Sequence, residues 1–133
     1  GISQLEKLDK FIKEREKIAK IYNSLLSETS IVIPEQSLDT NSSRHLYIIR
    51  VPKERNLIFE HLRNNGIGVN IHYIPIYRQP FYKKYNYNYN DFPEAEAYYR
   101  EAISIPIFPG LTKRQQEKII KIIQDPPGFQ NLF

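Results

Sequence analysis

The chain has 133 residues, of which 41% are hydrophobic and 26% are charged, and its formal net charge is +4. This length suffices for one domain that removes roughly two-thirds of its unfolded surface from water. No apolar run approaches the roughly 20 residues that cross a bilayer, and without cysteine the chain forms no disulfide and no thiolate metal site. We therefore expect a cytoplasmic protein that does not enter the membrane.

The positive charge alone does not indicate a nucleic-acid partner. The 19 basic residues are offset by 15 acidic residues along the same chain. The arginines between positions 44 and 63 also lack the interleaved aromatic residues of an RNA-binding sheet. A basic α+β nucleic-acid-binding module stays open as an alternative, and it predicts an affinity that falls steeply with salt.

The first 26 residues carry a broad apolar stripe with the spacing of three and four that is typical of a helix. The chain starts directly in this pattern at Gly1 and contains no methionine, so we expect a fragment of a longer protein. Because so wide a stripe packs on more than one element, we interpret residues 1–26 as a helix connecting two domains. The alternative is a helix that lies across its own sheet.

The remaining periodicity predicts alternating strands and helices followed by a tail at 126–133. Strands are predicted at 31–33, 45–51, 66–73 and 104–108, and helices at 53–65, 93–102 and from 113 onward. Gly66 is predicted to be left-handed, Asp91 to cap the helix that begins at Pro93, and Thr112 with Gln115 to form a capping box. Residues 81–90 are predicted to be a loop, since their alternating asparagines favour turns.

This order of elements predicts an α+β domain over residues 27–125, with a small, mainly antiparallel sheet covered by helices. The stretch 66–80, GIGVNIHYIPIYRQP, joins an extended strand to a proline-rich loop that carries polar and aromatic side chains. A scaffold delivers side chains to a ligand in this way. The candidate binding residues are His72, Tyr73, Tyr77, Arg78 and Gln79.

The chain resembles the C-terminal small domain of the DegT/DnrJ/EryC1/StrS family of PLP-dependent sugar aminotransferases, which are fold-type I enzymes. The resemblance rests on the order and spacing of several stretches rather than on one motif. They are residues 1–22, 45–47, 66–80, 93–96 and 104–109 with Leu111 and Thr112. The likeness is greatest to the branch that aminates UDP-linked 4-keto-6-deoxyhexoses for pseudaminic acid and related surface sugars.

The resemblance implies that the full-length protein is a homodimer that uses pyridoxal 5'-phosphate to transfer an amino group from glutamate to a nucleotide-linked keto-sugar. The Schiff-base lysine and the phosphate cup would lie in a large domain upstream of Gly1, so the present chain would neither bind PLP nor catalyse transamination. An alternative within the family is a dehydratase, in which a histidine replaces that lysine and the cofactor stays as pyridoxamine phosphate.

The resemblance also implies roles for the candidate residues, none of them catalytic. His72 would hydrogen-bond the sugar, Tyr73 and Tyr77 would form walls, and Arg78 would contact a phosphate, with Gln79 beside them. The family commonly has histidine at the position of Tyr77, so a role transfers poorly there. For His72 the alternative is a half-buried strand histidine bonded to a backbone carbonyl.

Other ionisable residues are predicted to have structural roles. The three histidines have no paired spacing, so no metal site is expected. Glu94 and Glu96 are predicted to complement the helix dipole rather than to form an acid–base pair, because two residues apart they point to different faces.

Overall fold

A computed structural model describes residues 2–126 of the chain. The predicted tail at 126–133 lies outside these residues except for Pro126. The helices are α1 (Ile2–Leu5), α2 (Leu8–Leu26), α3 (Arg55–Asn64), α4 (Pro93–Glu101) and α5 (Lys113–Gln124). The strands are β1 (Tyr47–Arg50) and β2 (Ala102–Ile105), and short 3-10 helices cover Ile76–Arg78, Pro80–Tyr85 and Tyr89–Asp91. Over residues 2–126, none of the helices combines the length and the apolar character needed to cross a membrane.

The helix ends follow local chemistry. The Thr112 N–H donates to Gln115 Oε1 at 2.8 Å and the Gln115 N–H donates to Thr112 Oγ1 at 3.3 Å, which confirms the capping box. Gly66 has a φ of +75° after α3, which confirms the left-handed position. The prediction that Asp91 caps α4 was wrong, because Asp91 is the last residue of the preceding 3-10 helix and Phe92 is the N-cap of α4.

The sheet is small and antiparallel. Tyr47 pairs with Ile105 and Arg50 with Ala102, and single bridges add Val32 and Asn70 at the two edges. The predicted strands at 31–33 and 66–73 are therefore reduced to one paired residue each. The prediction for 104–108 was also misplaced, because β2 starts directly after α4 and ends before Pro106, which has no N–H to donate.

The core lies between this sheet and helices α2, α3 and α5. Alternate residues of β1, Tyr47 and Ile49, are fully buried against the helices. The Tyr47 Oη donates to Asn23 Oδ1 at 2.6 Å and the Tyr22 Oη donates to the Pro106 carbonyl at 2.9 Å, so both buried hydroxyls are satisfied. Burial is the main cause that raises the pKa of each of these two phenols. The α+β class and its antiparallel sheet are confirmed.

Helix α4 is held at its C-terminal end by two arginines. The Arg55 side chain donates to the carbonyls of Tyr99 and Arg100, each at 2.9 Å, which satisfies acceptors that the last turn leaves open. The Arg50 guanidinium pairs with Glu101, with Nη2 at 2.7 Å from Oε2. These contacts fix α4 against β1 and the start of α3.

The helix α2 divides into two halves of different environment. Its second half buries the residues Ile18, Ala19, Tyr22 and Leu26 in the core. Toward the start of the chain the same stripe continues through Leu8 and Leu5, whose side chains are exposed. The second half therefore lies on its own domain, whereas Leu8 of α2 and Leu5 of α1 are left exposed by the described residues and Phe11 and Ile12 are half-buried.

We expect Ile49→Ala to lower the free energy of unfolding by about 2–5 kcal/mol, because it leaves a cavity where the fully buried Ile49 side chain packs in the core. The matched variant Val32→Ala, at an exposed edge position of the same sheet, should cost about 0.5 kcal/mol or less. Urea denaturation of both variants checks this, and equal losses would contradict the assigned orientation of β1.

Candidate functional site

His72 stands where an extended segment leaves the edge of the sheet. Asn70 bridges Ser104 of β2, and two residues later the His72 Nδ1 shares a hydrogen bond of 2.7 Å with the buried Ser104 Oγ. The partner is thus a side-chain hydroxyl, not the backbone carbonyl of the alternative considered from sequence. Among the described residues no protein group bonds the His72 Nε2, so this nitrogen is free for a ligand.

An open cleft of about 550 Å³ lies beside His72. Its volume falls within the range of about 300–1,000 Å³ that is usual for small-molecule sites. The cleft is largely apolar, with His72, Asn70 and Ser104 among its polar residues. The full lining comprises His45, Leu46, Gly68, Val69, Asn70, His72 and residues 104–108.

Tyr73 is 71% exposed and contacts His72 edge-on, with ring centroids 4.5 Å apart and planes at 82°. The peptide bond between the two residues is cis. Because Tyr73 is so exposed, its ring presents most of its surface to solvent next to the imidazole. A flat apolar ring beside a hydrogen-bonding ring is a combination that sugar-containing ligands require.

Tyr77 turns away from solvent toward helix α4. Its side chain stacks on Phe92 with centroids 4.3 Å apart, and its Oη donates to Glu96 Oε1 at 2.9 Å. Only 8% of Tyr77 is exposed. The predicted role of Tyr77 as a wall of the sugar site stays a prediction, although its ring packs against the protein on one face and its hydroxyl is already bonded.

Arg78 is engaged by the same carboxylate. Its Nε donates to Glu96 Oε1 at 2.8 Å and its Nη2 donates to Glu96 Oε2. The guanidinium also lies over the rings of Tyr89 and Tyr99, at 4.4 Å and 5.5 Å from their centroids. The predicted phosphate contact stays untested, but the Nε and Nη2 atoms of Arg78 already donate to Glu96.

Gln79 joins two 3-10 helices through its backbone. Its N–H donates to the Ile76 carbonyl at 3.0 Å, and its carbonyl accepts from the Tyr82 N–H at 2.9 Å. The candidate residues thus form two groups. His72 lines the cleft beside β2 and Tyr73 adjoins it, whereas Arg78 lines a separate cleft of about 360 Å³ beside α4.

Glu96 is the central residue that the sequence prediction missed. It is 7% exposed and accepts from both Tyr77 and Arg78, so the dipole role predicted for it was incomplete. The hydrogen bonds from Arg78 are the main cause that lowers the pKa of Glu96, and the Tyr77 hydroxyl acts in the same direction. Helical spacing gave the signal, because Glu96 lies between Phe92 and Tyr99 on one face.

The chain belongs to the DegT/DnrJ/EryC1/StrS aminotransferase family, whose model matches residues 1–124. It is 37% identical over 111 residues to the UDP-4-amino-4,6-dideoxy-N-acetyl-beta-L-altrosamine transaminase of Campylobacter jejuni, covering 80% of this chain and 29% of that protein. It is 29% identical to the spore coat polysaccharide biosynthesis protein SpsC of Bacillus subtilis, covering 94% of this chain and 34% of that protein.

Solved structures give the same assignment. PseC of Helicobacter pylori, an aminotransferase of pseudaminic acid biosynthesis, matches with a TM-score of 0.84 and 29% identity over 92% of this chain and 34% of that one. A Streptococcus pneumoniae protein described as a sugar aminotransferase, in its PLP form, matches with a TM-score of 0.84 and 30% identity over 92% and 33%. The chain therefore spans about a third of the length of the relatives it matches, and the fold is that of the C-terminal part of a fold-type I sugar aminotransferase.

PLP is the cofactor of this family, as relatives in PLP and PMP forms indicate. Every lysine between positions 2 and 126 is exposed on the surface of this chain. A Schiff-base lysine requires an enclosed position beside a phosphate-binding cup. The expectation that this chain does not hold the cofactor by itself stays a prediction.

We expect Glu96→Gln to lower the free energy of unfolding near neutral pH, and the difference from wild type to shrink in acid. A carboxyl whose native pKa lies below its usual 4.5 stabilises the fold above that pH, and this stabilisation is lost as the pH falls through the lower native pKa. Urea denaturation at steps from about pH 7 to about pH 3 measures the difference.

The control is Glu117→Gln, which removes an exposed carboxylate 3.7 Å from Lys113 on α5. It should show little difference from wild type at any pH, because exposed ion pairs contribute little. A Glu96→Gln difference that persists unchanged in acid would contradict the role of the ionised carboxylate.

Proposed function

We propose that this chain is the substrate-contacting C-terminal domain of a nucleotide-sugar aminotransferase, in which glutamate donates the amino group to a nucleotide-linked keto-deoxysugar. The observation that carries the proposal is the imidazole of His72, fixed by Ser104 at the cleft with its Nε2 free. The printed names of the Campylobacter and Bacillus relatives, a UDP-amino-sugar transaminase and a spore coat polysaccharide protein, support a role in surface glycan synthesis.

The two groups of candidate residues have different parts in this proposal. His72 hydrogen-bonds a hydroxyl or carbonyl oxygen of the sugar, and the exposed ring of Tyr73 packs on its apolar face. Tyr77, Arg78 and Gln79 hold the shape of the loop that follows, because the Tyr77 hydroxyl and the Arg78 guanidinium bond Glu96 and the Gln79 backbone joins two 3-10 helices. A site of this kind combines a few placed polar groups with flat apolar surface.

The remainder of the active site belongs to a larger protein in this proposal. An upstream domain provides the Schiff-base lysine for PLP and packs against the exposed apolar residues Leu5 and Leu8, so that the segment 1–26, which includes α1 and α2, connects the two domains. The complete enzyme is a homodimer. The third of the relatives' length that the chain spans and the exposed position of its lysines support this division between two domains.

The substrate role is tested by His72→Ala in the longer protein, assayed with glutamate and a UDP-linked 4-keto-6-deoxyhexose. Loss of one hydrogen bond should raise the KM for the sugar by about two- to tenfold and leave the visible spectrum of the bound cofactor unchanged. The control, His61→Ala, alters a histidine on α3 that contacts Asn65 and should leave the KM as in wild type.

Each outcome of these assays has a defined meaning. An unchanged KM in His72→Ala contradicts the site assignment. A cofactor that borohydride does not trap on a lysine would indicate the dehydratase branch instead, and a longer protein without any bound PLP or PMP would contradict the proposed function.

The proposed role of α1 and the start of α2 in connecting the two domains gives a separate prediction. The double variant Leu5→Ser, Leu8→Ser should leave the unfolding of the present chain unchanged, because both side chains are exposed in it. In the longer protein it should lower the thermal midpoint, since there the same side chains would be buried. Leu38→Ser, at a fully exposed loop position, is the control and should change neither protein.

A further inference from the structure

We propose that Glu96 is a positioning residue for substrate binding, which fixes the segment that carries Tyr73 through its bonds to Tyr77 and Arg78. The inference rests on the proposed function. Glu96 does not line the cleft beside His72, so it acts only through the residues that it holds.

One carboxylate restrains two consecutive loop residues. The Tyr77 Oη, the Arg78 Nε and the Arg78 Nη2 all donate to Glu96, and each of its two oxygens accepts at least one of these bonds. Charge-assisted bonds with two parallel donors fix direction as well as distance. Because Glu96 lies on α4, whose last turn Arg55 holds through the carbonyls of Tyr99 and Arg100, its own position is set without the Glu101 side chain.

The segment between the two anchors has little packing of its own. Tyr73, Ile74 and Ile76 are all exposed, and only a few residues separate the His72–Ser104 bond from the Tyr77–Glu96 bond. A segment this short cannot move far when both ends are fixed, since each residue spans at most about 3.3–3.6 Å. Release of the Glu96 end therefore frees Tyr73 while His72 stays on Ser104.

The rings around Arg78 strengthen the anchor without replacing it. Tyr89 and Tyr99 lie against the guanidinium, and Phe92 stacks on Tyr77. These contacts give apolar packing and cation–π attraction, but neither depends on the direction of the donor groups as closely as a hydrogen bond does. The Glu96 carboxylate is thus the group that determines the orientation of Arg78.

The test compares Glu96→Gln with Glu101→Gln in the longer protein. Both residues lie on α4 and pair with a partly exposed arginine, with exposed side-chain fractions of 9% and 30% for Glu96 and Arg78 and of 19% and 38% for Glu101 and Arg50. Neither Glu101 nor Arg50 lines the cleft beside His72. Both variants should lower the thermal midpoint, which measures the structural loss common to the two.

Only Glu96→Gln should raise the KM for the sugar nucleotide, by about three- to tenfold, with the KM for glutamate and the cofactor spectrum unchanged. Tyr77→Phe, which removes one bond and no charge, should raise the same KM to a smaller extent and serves if Glu96→Gln does not fold. In the double variant Tyr77→Phe, Glu96→Gln, the KM should rise by less than the product of the two single fold-increases, because both changes act through one carboxylate.

The outcomes separate this inference from the function on which it rests. Equal KM values in Glu96→Gln and Glu101→Gln, or no change in Tyr77→Phe, overturn the positioning role while the wild-type enzyme remains active. A wild-type protein that does not transaminate overturns the proposed function, and this inference with it.

Discussion

The pairing of β1 with β2 is the constraint on which the rest of the structure depends. Only four residues of each strand pair, yet β2 begins directly where α4 ends. The register of this one ladder therefore fixes Ser104, which holds His72, and also the helix that carries Glu96. Both anchors of the candidate site derive their positions from the same pairing, so a shift by one residue would move them together and turn Ser104 to the opposite face.

The buried polar side chains hold distant segments of the chain in place relative to one another. Among the side chains that the structure describes, the buried polar or charged ones are Glu96, Ser104 and Gln116. Each reaches across a long stretch of sequence: Ser104 to His72, Glu96 to Tyr77 and Arg78, and Gln116 to the Ile18 carbonyl at 2.9 Å. A buried polar group is costly unless it is bonded, so each of these contacts disfavours alternative packings more than an apolar contact would.

Local chemistry made part of this structure predictable from sequence. The capping box at Thr112, the left-handed Gly66 and the start of α4 at Pro93 depend on neighbours within a few residues, and all three were correct. The extent of the strands was not predictable in the same way. Alternation at 31–33 and 66–73 indicates an extended chain, but a strand also requires a partner with which to pair. Each of these two segments forms only one bridge to the sheet.

The site shows the same limit at the level of side chains. The stretch that contains His72 and Tyr73 was identified from its alternation and prolines, and the structure places both at or beside an open cleft. The burial of Tyr77 and the pairing of Arg78 depend on Glu96, which lies 18 residues beyond Arg78 in sequence. Helical spacing indicated that Glu96 shares a face with Phe92 and Tyr99, but no local pattern could say which loop residues would meet that face.

The openness of the cleft is itself consistent with a domain that completes its site against another surface. Binding sites for small molecules enclose most of the ligand, whereas the cleft beside His72 is open to solvent. The bond to Ser104 fixes the His72 imidazole in the folded chain, so the loss of side-chain entropy for this group occurs on folding rather than on ligand binding. In the proposed function this chain therefore supplies a rigid edge with a fixed imidazole, against which an upstream domain would close the substrate.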